Sequence, residues 1–175
     1  MTITKGSGTI RYIYDAGGRK LRKELAGNNR DYIGGIEYGN GGQLDFVQTE
    51  EGRAIKAGES FSYEYMLKDH LGNTRAVLKE NGDILQLSDY YAFGMEMPKN
   101  KMTPSPDNRY KYNGKELQED LGLNQYDYGA RFYDPVIGRF TTVDNLAEEI
   151  RSHSPYNYGL NNPLRFTDPN LKGEK

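Results

Sequence analysis

The sequence has no cysteine, no tryptophan and only two histidines, His70 and His153. Without cysteine the chain has no disulfide, no thiolate ligand for zinc and no cysteine nucleophile. Two histidines cannot build a histidine-rich metal site, and a Ser-His-Asp triad would have to recruit one of them. We expect both histidines at the surface and predict no metal or cofactor.

Long hydrophobic runs and an excess of charge are also missing. No apolar stretch approaches the roughly 20 residues of a transmembrane helix. The first ten residues contain no apolar segment of a signal peptide, so we expect a cytoplasmic chain before any specialised secretion. The 23 basic and 25 acidic residues give a net charge of −2. Such a chain lacks the basic field that nucleic-acid binding requires.

Aliphatic residues are scarce, whereas glycine and tyrosine are abundant. Leu, Ile, Val and Phe together make up less than about a fifth of the chain, at the edge of the range for disordered proteins. Disorder also requires a high net charge, which is absent. The 175 residues include 21 glycines and 15 tyrosines. Because tyrosine favours half-buried strands and glycine favours turns, the composition predicts a folded, mainly β protein.

A short unit recurs along the chain, with Tyr-Asp or Lys-Asp, two or three further residues, Gly, and then Arg or Asn. It occupies residues 12–19, 63–75, 126–131 and 133–140. Asp can close a turn onto its own backbone and Gly supplies a positive φ, so each unit predicts an antiparallel β-hairpin. A single hairpin cannot bury a face alone. We therefore predict hairpin repeats that form a curved open sheet or partial barrel.

Helix signals are few and lie near the C-terminus. Residues 115–121 are compatible with a short helical turn, and residues 145–151 form a better candidate because Asn145 can cap them and Glu148 follows three residues later. The sequence thus predicts one or two short helices. A proline-rich loop at residues 98–109 is expected to divide the hairpin repeats of residues 1–97 from a motif-dense region at residues 110–175.

The motif-dense region carries a family resemblance. Its motifs are Tyr-Asn-Gly-Lys-Glu-Leu-Gln at 112–118, Tyr-Asp-Tyr-Gly-Ala-Arg-Phe-Tyr-Asp-Pro at 126–135, Gly-Arg-Phe at 138–140, Ser-Pro-Tyr-Asn-Tyr at 154–158, Asn-Asn-Pro at 161–163 and Asp-Pro at 168–169. In this order they resemble the RHS repeat-associated core. Residues 89–95 resemble the segment just upstream of such cores, and the earlier units look like YD repeats.

The resemblance implies a β-rich shell with a protease-like activity. In this family, repeats form a hollow cage around a C-terminal toxin, and the core plugs one end and cuts its own chain. That activity resembles an aspartic protease with two Asp and a supporting Arg. Carried over by motif, these residues are Arg131, Asp144 and Asp168. Two close carboxylates cannot both ionise easily, so one is protonated and acts as an acid, while the other serves as base for a water molecule.

Each candidate residue also has a structural interpretation. Asp144 precedes Asn145 and can help to cap a helix, Asp168 before a proline can begin a turn, and Arg131 can simply pair with a neighbouring carboxylate. These alternatives stay open at the level of sequence. Asp134 is a further acid in the same motif, and it fits the turn of its own hairpin, so we interpret it as structural.

The chain departs from the family pattern around the expected cut. Asn145 follows the first Asp, where the family has Pro, and Leu171 and Lys172 stand where it has Gly and Leu. By alignment the cut falls between Lys172 and Gly173, and three residues follow it, so no toxin is expected.

Two classes of function remain. The first is a self-cleaving RHS shell or plug protein, an aspartic-type peptidase acting on itself. The alternative is a non-catalytic β-scaffold or a glycan- or protein-binding module, or a truncated piece of a larger RHS effector. The expected partners are the chain itself, other RHS or effector chains, and a second copy paired through the sheet edges.

Overall fold

The computed structural model describes residues 1–98, 108–129, 131–145, 147–148 and 152–167. The fold is mainly β and antiparallel, as predicted. The strands form a ten-stranded sheet and a four-stranded sheet, and in both the strand order follows the sequence. The described strands form open sheets, so the partial barrel that the repeats suggested is not formed. Linear pairing of each strand with its sequence neighbours leaves β1 and β10 as two separate edges.

The ten-stranded sheet consists of short strands joined by tight turns. Its strands are β1 (Thr2–Lys5), β2 (Gly8–Tyr14), β3 (Lys20–Leu25), β4 (Arg30–Ile33), β5 (Ile36–Tyr38), β6 (Leu44–Gln48), β7 (Gly52–Ala57), β8 (Ser60–Lys68), β9 (Thr74–Lys79) and β10 (Ile84–Leu87). The four-stranded sheet contains β11 (Glu116–Gln118), β12 (Gln125–Asp127), β13 (Phe132–Asp134) and β14 (Arg139–Phe140).

Aspartate and glycine together close several of these turns. Oδ1 of Asp15 accepts hydrogen bonds from the N–H groups of Gly17 and Arg19, both at 2.9 Å. Asp69 does the same with Leu71 and Asn73, both at 3.0 Å. The glycine of each turn has a positive φ, 81° at Gly18 and 79° at Gly72. The carboxylate replaces backbone partners that the reversing chain would otherwise leave unpaired.

Contacts between residues divide the chain into two compact units. The first consists of Met1–Met66 with Val77–Ile84. Its buried apolar residues are few, namely Ile10, Tyr12, Tyr32, Phe46, Ala54 and Val77. Charged groups fill part of the interior. Arg53 and Glu64, which are register partners on β7 and β8, form a buried ion pair at 2.8 Å.

The second unit consists of Leu67–Ala76 with Leu85–Lys175, and its core is aromatic. The cluster, called the tyrosine core below, comprises Tyr90, Tyr112, Leu117, Tyr126, Tyr128, Tyr133, Phe140 and Tyr158, with Phe93 packed against it. Its rings lie 4.5–6.3 Å apart between centroids, a range in which aromatic rings attract each other. Tyrosine thus fills the space that aliphatic side chains fill in most proteins.

Buried phenols need partners, and three of them bind one turn. The hydroxyls of Tyr112, Tyr133 and Tyr126 donate to the consecutive carbonyls of Ala92, Phe93 and Gly94, at 2.9, 2.8 and 3.3 Å. The turn also closes on itself, since the Gly94 N–H donates to Tyr91 O at 2.8 Å. The segment that the motif comparison placed upstream of the core is therefore anchored within the tyrosine core.

The helical turn predicted at residues 115–121 is wrong. Glu116–Gln118 is strand β11, and only Asp120–Gly122 forms a 3-10 turn. Tertiary pairing overrides local propensity here, because Leu117 is buried and pairs with Tyr126 on β12. The helix predicted at 145–151 lies partly outside the described residues. Within them, Asp144 begins a turn in which the Ala147 N–H donates to Asp144 O at 3.1 Å. Most of the proline-rich loop at 98–109 also lies outside the described residues.

Candidate functional site

Arg131 and Asp144 form an ion pair, in which Nη2 of Arg131 lies 2.8 Å from Oδ2 of Asp144. The Arg131 side chain is 5% exposed, whereas that of Asp144 is 29% exposed. A buried guanidinium thus contacts a carboxylate that reaches solvent. The structure brings together two of the three residues that the motifs selected. Asp168 lies outside the described residues.

The guanidinium of Arg131 also stacks on Phe140. Its central carbon lies 3.7 Å from the ring centroid, within the range of a cation–π contact. Phe140 is buried on β14 and pairs in register with Tyr133 on β13. Because Phe140 also contacts Tyr128 and Tyr158, at 5.5 and 5.8 Å between centroids, the ion pair rests on the tyrosine core.

The backbone fixes Asp144 in place. Its N–H donates to Pro155 O at 3.0 Å, and the N–H of Phe140 donates to Tyr156 O at 3.0 Å. The segment that leads to Asp144 therefore lies along residues 155–156. The Thr141 N–H also donates to Phe132 O at 2.8 Å. Backbone hydrogen bonds therefore hold both the residue after Arg131 and the segment that leads to Asp144.

The other acid of the motif has a local role. Oδ1 of Asp134 accepts a hydrogen bond from the Val136 N–H at 2.9 Å, and the Gly138 N–H donates to Asp134 O at 2.9 Å. This agrees with the interpretation of Asp134 as a turn residue. Of the two histidines, His70 is exposed, and His153 is half-buried with Nδ1 2.9 Å from Ser152 Oγ.

Burial changes the acidity of the tyrosines beneath the site. Loss of solvent raises the pKa of Tyr128 and Tyr126 well above 10, and each phenol lies near a further phenol that adds to the effect. Burial likewise raises the pKa of Tyr90, Tyr112 and Tyr133. These phenols are therefore neutral hydrogen-bond donors across the physiological range and not acid–base groups.

The described part of the chain offers neither a metal site nor a membrane-spanning helix. There, no group of three or more His, Cys, Asp or Glu side chains is arranged to hold a metal ion. The same ranges contain no helix that is long and apolar enough to span a bilayer.

Comparison with known proteins places these features in context. No family model matches the chain. "Salivary gland surface protein 1" of Aedes aegypti is 37% identical over 107 residues, which is 61% of this chain and 3% of that protein. "tRNA3(Ser)-specific nuclease WapA" of Bacillus spizizenii is 28% identical over 180 residues, covering 90% of this chain and 7% of the nuclease. Toxin subunit YenC1 of Yersinia entomophaga is 28% identical over 140 residues, covering 77% and 14%.

Solved structures share the fold. The crystal structure of TcdB2-TccC3 matches 97% of this chain with a TM-score of 0.76 at 21% identity. These matches confirm the resemblance to RHS/YD-type proteins. At this identity the structural likeness concerns the fold alone. The chain spans 10% of the matched TcdB2-TccC3 chain and between 3% and 14% of the curated relatives described above.

Two important residues of the site were not predicted. Phe140 belongs to a motif that was quoted without a role, and its position beneath Arg131 depends on the β13–β14 hairpin. Asn113 joins the tyrosine core to the Asp69 turn, because its Nδ2 donates to Leu71 O and its Oδ1 accepts from Tyr128 and Tyr158. Asn113 belongs to the motif at residues 112–118, which carried the family resemblance and gave this residue no role of its own.

Proposed function

We propose that the chain is a segment of an RHS-type shell associated with a toxin, built from YD-type hairpin repeats and carrying a self-cleaving site of aspartic type. The observation that carries the proposal is the ion pair between Arg131 and Asp144, at 2.8 Å. The association with toxins is supported by similarity to toxin subunit YenC1 and to TcdB2-TccC3.

We assign roles within this site from the ion pair. Arg131 pairs with Asp144, and Asp144 acts as base for a water molecule. Asp168 is then the protonated partner that donates to the leaving amine. Water attacks the carbonyl of Lys172, the bond from that carbonyl to the nitrogen of Gly173 breaks, and the proton from Asp168 completes the new amino terminus. The partial exposure of Asp144 gives water access to the base.

Intact-mass measurement tests this reaction directly. A reporter domain fused after Lys175 makes the cut visible as two fragments, the larger ending at Lys172. Asp144→Asn and Asp168→Asn should leave the fusion whole. Asp134→Asn is the matched control, because Asp134 belongs to the same motif but closes a turn, and this variant should still be cut. A wild-type fusion that keeps its full mass would contradict the activity while leaving the shell assignment in place.

A second copy of this chain is the first proposed partner of the sheet edges, and another toxin chain is the alternative. Strand β1 lies at one edge of the ten-stranded sheet and pairs with β2 only on its other side. An unpaired edge can accept a strand from another chain. Sedimentation of the purified chain should show self-association that weakens when Thr4 is replaced by Pro, because the alternating pairs of β1 and β2 direct the Thr4 N–H away from β2, towards the open edge. A monomer at high concentration would favour a different toxin chain as the partner.

A second candidate function is glycan binding by the first unit. Phe61, Tyr63 and Tyr65 are each about 40% exposed and stand on one face of β8. Tyr63 and Tyr65 lie opposite two small residues of β7, Ala54 and Gly52, so no large side chain from β7 covers their rings. Open aromatic faces can stack on the apolar faces of sugar rings.

The same face bears an apolar row that crosses five strands. Direct register pairs join Ile33 to Ile36, Ile36 to Val47, Val47 to Ala54 and Ala54 to Tyr63. The row itself contains no charged side chain and suits a neutral glycan, although Nζ of Lys56 lies 5.0 Å from the centroid of the Phe61 ring on the same face. A glycan array should give a signal that Tyr63→Ala removes and that Tyr91→Ala, at another exposed tyrosine, leaves unchanged. No signal above background from the wild-type chain would exclude this function.

A further inference from the structure

The sequence contains three Asn-Gly dipeptides, and the structure places them in very different surroundings. They are Asn40-Gly41, Asn81-Gly82 and Asn113-Gly114. In such a dipeptide the glycine nitrogen can attack the asparagine side-chain amide, because glycine has no Cβ to hinder the approach. We propose that Asn40 is the site of a spontaneous covalent modification of this protein, deamidation through a succinimide.

Neither reacting group at Asn40-Gly41 is held by a hydrogen bond. Both residues are exposed in the 3-10 turn Asn40–Gly42, which connects β5 to β6. Across the described ranges, the Asn40 carboxamide and the Gly41 N–H make no hydrogen bond, whereas the turn is closed by the neighbouring Gly42 N–H, which donates to Gly39 O at 3.1 Å. Attack by the Gly41 nitrogen on Cγ of Asn40 therefore requires no hydrogen bond to be broken.

At Asn81-Gly82 both reacting groups are engaged. Nδ2 of Asn81 donates to Asp83 Oδ2 at 2.8 Å, and Oδ1 accepts from the Asp83 N–H at 3.1 Å. The nucleophile is engaged too, because the Gly82 N–H donates to Lys79 O at 2.9 Å. Reaction here first requires the turn to open, so Asn81 should react more slowly than Asn40 although it is equally exposed to solvent.

Asn113 is the most protected of the three. Its Nδ2 donates to Leu71 O at 2.9 Å, and its Oδ1 accepts from Tyr128 at 2.9 Å and from Tyr158 at 2.5 Å. The side chain is also half-buried within the second unit. We expect Asn113 to react at least about tenfold more slowly than Asn40, because several hydrogen bonds must break before the carboxamide can turn.

The reaction is balanced without an enzyme. The Gly41 nitrogen loses its proton and bonds to Cγ of Asn40, and the amide nitrogen leaves with a proton as ammonia. One water then opens the succinimide at either carbonyl, giving aspartate or isoaspartate. Isoaspartate adds a methylene to the backbone and a carboxylate to the connection that sets the register of Tyr38 with Leu44.

Peptide mapping of the incubated native protein tests this inference. At mildly alkaline pH, the peptide containing Asn40 should gain the mass of an NH2-to-OH exchange first, followed by the Asn81 peptide. Asn40→Gln should abolish the early product, because the longer side chain closes a ring poorly, whereas Asn81→Gln should leave it unchanged. In urea the three dipeptides should react at similar rates, since only the fold distinguishes them.

Two outcomes would overturn the inference. One is a native protein in which Asn81 or Asn113 reacts as fast as Asn40. The other is the same order of rates in urea as in the native state, which would assign the order to neighbouring sequence and not to the hydrogen bonds.

Discussion

The hydroxyl of Tyr158 donates a hydrogen bond of 2.5 Å to Oδ1 of Asn113, a residue 45 positions earlier in the chain. Tyr128 donates to the same oxygen, and the Asn113 N–H donates to Asn73 Oδ1. The Asn113 carboxamide thus connects Tyr128, which lies between β12 and β13, with Tyr158 and with the Asp69 turn, all within the second unit. Its backbone has a φ of 51°, a left-handed conformation that asparagine tolerates better than most residues.

Asn113→Ala should therefore destabilise the second unit by about 2–4 kcal/mol, because it removes the acceptor that the buried hydroxyls of Tyr128 and Tyr158 share and places alanine at a positive φ. Asn124→Ala is the matched control. Asn124 has nearly the same φ, 53°, but is exposed, so its replacement should cost about 1 kcal/mol. Urea unfolding measures both. Equal losses for the two variants would show that the hydrogen bonds of Asn113 contribute little.

The glycine of the 91–95 turn offers a second matched pair. A Cβ at Gly94 would lie 2.6 Å from the ring of Tyr112, whereas one at Gly82 would meet no atom within 4 Å. The two φ angles are alike, 86° and 87°. Both alanine variants should lose about 1–2 kcal/mol from the backbone conformation, and Gly94→Ala should lose about 1–3 kcal/mol more by overpacking. Thermal unfolding of the two variants would separate the cost of the backbone conformation from the cost of overpacking. Equal melting temperatures would contradict tight packing at Gly94.

The tyrosine core predicts loss of stability in alkaline solution. In the unfolded chain tyrosine has a pKa of about 10, and burial raises the pKa of Tyr126, Tyr128 and Tyr133 in the fold. Above pH of about 10 the unfolded state therefore binds fewer protons than the folded state, so the free energy of unfolding falls as the pH rises. Below that pH the tyrosines contribute no pH dependence to the free energy of unfolding.

Absorbance of the phenolate and near-ultraviolet circular dichroism should report this transition together. The buried tyrosines should ionise only as the near-ultraviolet dichroism signal disappears. Tyr133→Phe retains the ring but removes one buried phenol. This variant should therefore unfold over a higher range of pH than the wild-type chain, which retains every buried phenol. Ionisation of every tyrosine in one step with the dichroism intact would contradict a buried cluster.

Local features of the fold were predictable from the sequence, whereas long-range contacts were not. The turns at Asp15 and Asp69 need only neighbouring residues, so the Tyr-Asp…Gly pattern was sufficient to predict them. Strand β11 was mistaken for a helical turn because its identity depends on pairing with β12. Phe140 and Asn113 were missed because their partners come from distant positions. Asp144 was selected by resemblance, and its contact with Arg131 required the structure.

The buried ion pair of the first unit gives the last prediction. The side chains of Arg53 and Glu64 are 1% and 8% exposed, and Nε and Nη2 of Arg53 each lie 2.8 Å from Oε2 of Glu64. Glu64→Ala should destabilise the protein by about 3–5 kcal/mol, because it leaves a guanidinium buried without its carboxylate. Asp31→Ala removes the partner of Arg22 in a pair whose side chains are 47% and 28% exposed, and should cost less than about 1 kcal/mol.

Chemical denaturation of both variants, followed by the double variant Arg53→Met with Glu64→Leu, tests the cause of the loss. If an unpaired buried charge is responsible, removing both charges should recover most of the stability that Glu64→Ala loses. The Arg53 guanidinium also lies 5.2 Å from the Phe46 ring, so a methionine of similar length retains that packing. A double variant no more stable than Glu64→Ala would mean that the pair itself, and not the avoidance of a lone charge, stabilises the sheet.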